Sequence, residues 1–195
     1  MPATNAQEPE TNMPQKKKTS EPARKSAKPD AGAALDPMAP KPVGASRTEM
    51  VEVVLPQDAN PLGNILGGRV MHLMDISAAI AAHRHSNSSV VTASVDYVDF
   101  RNPIRVGELI VLKTSVNRVF NTSMEVGVKI FSENILTGER KHTTSAYVTF
   151  VAIDENRQPH AVRPLILETE EDRRRFKDAL ERRNIRLAHR FKRGR

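Results

Sequence analysis

Asn60-Pro61-Leu62-Gly63-Asn64-Ile65-Leu66-Gly67-Gly68-Arg69-Val70-Met71-His72-Leu73-Met74-Asp75 passes from a loop into a helix. Pro61 and Gly63 interrupt regular structure at its start. From Gly67 to about His85 the apolar residues recur at helical spacing. Val70, Leu73, Met74, Ile80 and Ala81 fall on one face. Ile76 lies off that face, and the alanines around it suggest a helix buried on more than one side.

Before this stretch, Thr48 to Leu55 is partly alternating and β-branched and stops at Pro56, which predicts a strand. After it come four more strand-like runs: Val90 to Phe100, Glu108 to Phe120, Thr122 to Phe131 and Lys141 to Ile153. Arg101-Asn102-Pro103, Gly107 and Thr137-Gly138 punctuate them. Long strands with short connections predict an antiparallel meander. One long helix packed on such a sheet gives an α+β layer.

Two features of the helix point to chemistry. Gly67 and Gly68 stand where the loop meets the helix, and first-turn N–H groups lack intrahelical partners. Such donors, at the positive end of the helix dipole, can hold an oxygen that gains negative charge. Asp75 interrupts a run of apolar and small residues, where a carboxylate is costly to bury without partners. Seven residues is close to two turns, so Asp75 shares a face with Gly68, and Ala78, Ala79 and Ala82 leave room beside it. A surface Asp, or one paired with a polar neighbour, fits the spacing equally well.

Charge and composition set the limits. The chain of 195 residues carries a formal +7, but residues 46–167 hold equal numbers of acidic and basic side chains. The excess lies in residues 1–45 and 168–195. Residues 1–46 hold eight of the thirteen prolines and no aromatic residue, and are expected to be a disordered Pro/Lys/Ala-rich tail. Residues 47–167 form the expected domain, and residues 168–195 a basic C-terminal helix capped by Thr169 and Asp172 and bathed in solvent. With no Cys there is no disulfide framework, thiolate zinc site or cysteine nucleophile. His83 and His85 point to different sides of a helix, so no metal is expected there. There is no Gly-x-Ser-x-Gly elbow and no phosphate-binding glycine loop. No apolar run is long enough for a membrane span, and no signal stretch leads the chain, so a cytoplasmic location is expected.

The stretch from Asn60 to Asp75 resembles the signature of the hot-dog acyl-CoA thioesterases, in particular short bacterial enzymes similar to brain-type acyl-CoA hydrolase. Further matches are Ala93-Ser94-Val95-Asp96, Asp99-Phe100, Pro103, Val106-Gly107-Glu108, Thr122-Ser123-Met124-Glu125-Val126 and Phe150-Val151-Ala152-Ile153-Asp154. They cover residues 47–170, with Glu108 a departure where Asp is usual. The resemblance implies a hot-dog fold, a long central helix wrapped by a curved antiparallel sheet. It also implies a homodimer or trimer of dimers whose active sites combine residues of opposing units. By position Asp75 matches the family's carboxylate and Asn60 its partner, with Asn64 a second candidate.

The implied reaction is hydrolysis of acyl-CoA to a free acid and CoA, with no cofactor apart from the CoA of the substrate. Asp75 would serve as general base on water, or as a nucleophile through an anhydride. The Gly68 N–H, beside Gly67, would stabilise the oxyanion. Arg101, Arg105 and Arg118, near predicted strand ends, are candidates for the CoA phosphates. Rival expectations are a hydrolase of carrier-protein thioesters, a non-enzymatic acyl-CoA sensor, and a nucleic-acid-associated protein using its basic tails. The neutral core disfavours the last.

Overall fold

The structure is a computed structural model that describes residues 36–193, with side chains placed through residue 189. The expected disorder of residues 1–35 falls outside the described residues. Residues 41–46 do not share it, so the boundary expected after residue 46 moves towards the N-terminus. Lys41–Pro42 (β1) pairs in parallel with Leu165–Ile166 (β7), and the 3-10 turn Val43–Ser46 buries Val43 and Ser46. Ser46 Oγ accepts a hydrogen bond from the Val116 N–H at 3.0 Å, which fastens this turn to the sheet. One buried valine and one satisfied hydroxyl are enough to dock a segment otherwise poor in apolar residues.

The long helix α1 runs over Gly67–Ser86. It stops at Asn87, whose left-handed φ of 53° lets its N–H close on the His83 carbonyl at 2.9 Å. Val70, Leu73, Met74, Ala78, Ala81 and Ala82 are buried. Ile80, expected on that face, is only half-buried, and Ser77 and His85 take buried places on it.

The five main strands are Thr48–Val53 (β2), Ser89–Val95 (β3), Leu109–Val119 (β4), Ser123–Glu133 (β5) and Arg140–Ile153 (β6). They form one antiparallel sheet in the order β2-β4-β5-β6-β3, curled around α1. The expected meander therefore holds for β4 to β6 but not for β3. That strand leaves α1 at the far side of the sheet and pairs with β6, which closes the curl over the helix. β3 is also shorter than expected, because Asp96 to Phe100 leave the ladder. Ile110, Leu112, Val126, Ile130, Val148 and Phe150 line the concave face against α1. Each such side chain contributes roughly 1.5–3 kcal/mol by leaving water.

A second helix, α2, covers Glu170–Arg193 and crosses the convex face. Its start is a reciprocal cap: the Asp172 N–H donates to Thr169 Oγ1 at 3.1 Å, and the Thr169 N–H donates to Asp172 Oδ2 at 3.0 Å. The expected solvated helix is corrected here, since Asp172 and Ala179 are buried against the sheet. Arg182 and Arg186, one turn apart, converge on Glu125 of β5, which is fully buried. Opposite charges in a desolvated setting hold this basic helix down. Among the described residues no helix is long and apolar enough to cross a membrane.

Candidate active site

The loop before α1 is built on Asn60. Its side-chain oxygen accepts from the Leu62 and Asn64 N–H groups at 3.0 and 3.2 Å. Gly63, at a φ of +75°, makes the turn that a side chain would strain. With the oxygen committed to its own loop, the Asn60 amide nitrogen remains as a donor. Asn64 serves the same loop through its backbone, where it bridges to Arg105. Arg69, one turn into α1, reaches Glu52 Oε2 at 2.8 Å and Asp58 Oδ1 at 3.3 Å, which fixes the helix entry against β2.

A cleft of about 340 Å³ opens beside this entry, lined by Asn60, Asn64, Gly67, Phe100, Arg101 and Thr143 among others. The Phe100 ring packs over Gly67 at the start of the helix, 3.6 Å from where a Cβ would be, an ordinary contact distance. Gly68 faces open space. Arg69 and Val70 both bond the Leu66 carbonyl, at 2.9 and 3.1 Å. Among the described residues no group engages the Gly67 or Gly68 N–H, so the first-turn donors are available.

Asp75 does not line this cleft. It lies two turns along α1, half-exposed, and Thr92 Oγ1 on β3 donates to its Oδ1 at 2.7 Å. At 1.5 Å per residue Gly68 and Asp75 of one chain are about 10 Å apart along the axis. The cleft at the helix entry does not extend to the aspartate, so one chain does not enclose both groups in that cleft. Exposed apolar residues share the face of Asp75: Met71 and Ile76 on α1, and Val95 on the edge strand β3.

The three arginines separate. Arg101 borders the cleft, mostly exposed, with Asp99 Oδ2 3.7 Å away. Arg105 is exposed in the adjoining turn. Arg118 does not fit a phosphate site. It donates to the Phe176 carbonyl at 3.0 Å and stacks 3.9 Å over the Phe176 ring, and burial followed by the nearby Arg183 charge lowers its pKa. Thr92 was missed, because a β-branched residue in a strand needs no functional explanation. No group of three potential metal ligands occurs among the described residues.

The Thioesterase superfamily model matches residues 62–139. The chain is 40% identical over 133 residues to an uncharacterized acyl-CoA thioester hydrolase of Bacillus subtilis, covering 68% of this chain and 77% of that one. It spans about a quarter of the length of the mouse acetyl- and acyl-coenzyme A thioesterases that it matches at 34% and 38% identity. Among solved structures, a hexameric acyl-CoA thioesterase superposes with a TM-score of 0.74 at 43% identity, covering 77% of this chain and 97% of that one. An acyl-CoA hydrolase of Staphylococcus aureus, solved with butyryl-CoA and CoA, gives a TM-score of 0.74 at 32% identity, covering 78% of this chain and 94% of that one. Further structures of that hydrolase carry alanine for an aspartate, for an asparagine fifteen residues before it, and for a threonine seventeen residues after it. Asn60, Asp75 and Thr92 stand at the same two spacings here. With the curled sheet around α1, these likenesses place the chain in the Thioesterase superfamily, with a hot-dog fold.

Proposed function

We propose that this protein hydrolyses acyl-CoA thioesters at sites shared between two copies of the chain. The observation that carries this most directly is the Thr92–Asp75 hydrogen bond, with Asn60 fifteen residues before the aspartate. Matching spacings in the Staphylococcus aureus hydrolase support Asn60 over Asn64 as the partner residue.

Asp75 acts as general base. It takes a proton from a water that attacks the thioester carbonyl, while Thr92 holds one carboxylate oxygen so that the other faces the water. The oxyanion forms against the Gly68 N–H, with the Asn60 amide nitrogen as an orienting donor. The tetrahedral adduct then collapses, the C–S bond breaks, and the CoA thiolate leaves with a proton returned from Asp75. No cofactor or metal enters the scheme, and CoA belongs to the substrate.

Because the cleft that holds Asn60 does not reach Asp75 in one chain, Asn60 comes from the partner subunit. A second copy has a seat: the edge of β3 and the apolar residues Met71, Ile76 and Val95 around Asp75. A dimer, or a trimer of such dimers, follows. Arg101 and Arg105, exposed beside the Asn60 cleft, suit the CoA phosphates.

Hydrolysis of acyl-CoAs from acetyl to palmitoyl tests this, with released CoA detected by a thiol-reactive dye. The chain has no Cys, so protein thiol adds no background. Asp75→Asn keeps the shape and removes the base. It is expected to lower kcat by about a hundredfold or more, within the range of general-base catalysis. Near-normal turnover by an assembled Asp75→Asn protein would falsify the role. A wild-type protein inactive on every acyl-CoA but active on a carrier-protein thioester would move the substrate class.

A further inference from the structure

The β3 ladder carries a register shift between Thr92 and Ser94, with Ala93 as the extra residue. In an unbroken strand Thr92, Ser94 and Asp96 would all face the same way. The bulge changes the phase. Thr92 faces α1 and reaches Asp75 at 2.7 Å, whereas Asp96 emerges on the other face and meets Arg186 of α2 at 2.6 Å. The catalytic side of β3 and its outer side are thus set by one residue insertion.

β3 is an edge strand, bonded on one side only, and its ladder ends at Val95 opposite Val148. Beyond that, the Asp96 N–H still donates to the Tyr147 carbonyl at 2.9 Å. The Asp96 side chain is then the next tie, ahead of the Arg101 N–H, which rejoins β6 at the Thr143 carbonyl at 3.1 Å. Arg186 joins that tie to the middle of the sheet, since its Nη2 also lies 3.1 Å from Glu125 Oε2. Glu125 is in turn fixed by Arg182 at 2.7 Å and by Asn117 Nδ2 at 3.2 Å. The Arg182 guanidinium stacks 3.6 Å over the Tyr147 ring. A single arginine therefore bridges the loose edge strand to a fully buried carboxylate two strands away.

We propose that Arg186 is a positioning residue for thioester hydrolysis: by tying Asp96 to Glu125 it holds the bulge in phase and keeps Thr92 turned to Asp75. The C-terminal helix is then part of the catalytic unit. This rests on Asp75 being the base.

The test measures kcat and KM on the full-length protein for wild type, Arg186→Met, Arg186→Lys, Thr92→Val and the Arg186→Met/Thr92→Val double variant. Arg186→Met is expected to lower kcat about tenfold with KM within about twofold, since a misplaced base affects the transition state more than binding. Arg186→Lys should restore most of the loss. In the Thr92→Val background, Arg186→Met should cost less than about twofold more, because the loss travels through Thr92. Multiplicative losses in the double variant, or an unchanged kcat for Arg186→Met, would overturn the proposal. If Arg186→Met does not assemble, Asp96→Asn makes the same comparison while keeping the shape of the tie. An inactive Asp75→Asn beside a fully active Arg186→Met sinks this proposal alone, whereas an active Asp75→Asn sinks the catalytic assignment first.

Discussion

Glu125→Gln removes one charge and no volume from the convex face. Glu125 is fully buried, and its oxygens accept from Arg182 at 2.7 Å, Arg186 at 3.1 Å and Asn117 at 3.2 Å. After the change the amide presents an NH2 group towards a guanidinium, and Arg186 is left with Asp96 and Arg182 with the Asp178 charge. Breaking a buried ion pair costs about 3–5 kcal/mol. Here both arginine side chains keep about a fifth of their exposure, at 20% and 22%, and Arg186 retains Asp96. The cost should therefore fall to about 2–3 kcal/mol. For a chain of this size each kcal/mol moves Tm by about 2–4 °C, which gives a drop of about 4–12 °C. Scanning calorimetry at one fixed protein concentration reads it, since assembly also contributes to Tm. A drop under about 2 °C would refute the reasoning, because it would mean water already reaches the carboxylate. Replacing Glu125 and Arg182 together by Met should recover part of the loss, since an apolar pair needs no desolvated partner.

Gly127→Ala should destabilise by about 1–3 kcal/mol through overpacking. The new Cβ would stand 2.7 Å from Asn117 Nδ2 and 2.9 Å from its Oδ1, and Asn117 cannot swing away without losing Glu125. Chemical denaturation should show the loss, and Asn117→Ala in the same chain should relieve the clash. Acid should loosen α2. Burial alone would raise the Asp172 carboxyl, but the Thr169 hydrogen bonds and the Arg47 charge outweigh it and hold it below its ordinary 3.8. Arg174, with Arg175, lowers Glu171 to about 2 against some desolvation. Both groups are depressed in the folded state, so their stabilisation is present above the ordinary carboxylate values and is lost as pH falls towards about 2. Asp96 has the opposite sign: burial raises it, partly offset by Arg186, so its ionisation costs stability as pH rises through its folded value. Circular dichroism of α2 between pH 5 and 2 should show the acid loss, and Asp172→Asn should flatten it. Glu171 is exposed enough that added salt should shrink its share.

Local pattern carried much of this protein. The period of Val70, Leu73, Met74 and Ala81 against β-branched runs on either side determined one long helix and an antiparallel sheet, because burial of one helix face repeats every 3.6 residues whatever it packs against. The caps at Thr169 and Asp172 were legible for the same reason: their partners lie within one turn. Resemblance brought Asp75 and Asn60 forward, and spacing alone left the aspartate open between a site and a surface. Only the tertiary structure decided which residues act together. β3 crosses to the far edge, and Ala93 inserts a half-step, so Thr92 meets Asp75 while Asp96 meets Arg186, ninety residues away in sequence. Asp75 was thereby parted from the Asn60 cleft, and Arg118 was taken up by α2. Arg182 and Arg186, at helical spacing, and Glu125 between the apolar Met124 and Val126 were a signal that could have been read. Charge pairing across the sheet depends on which face each residue takes, and one bulge reverses that face without leaving a mark in the hydrophobic pattern.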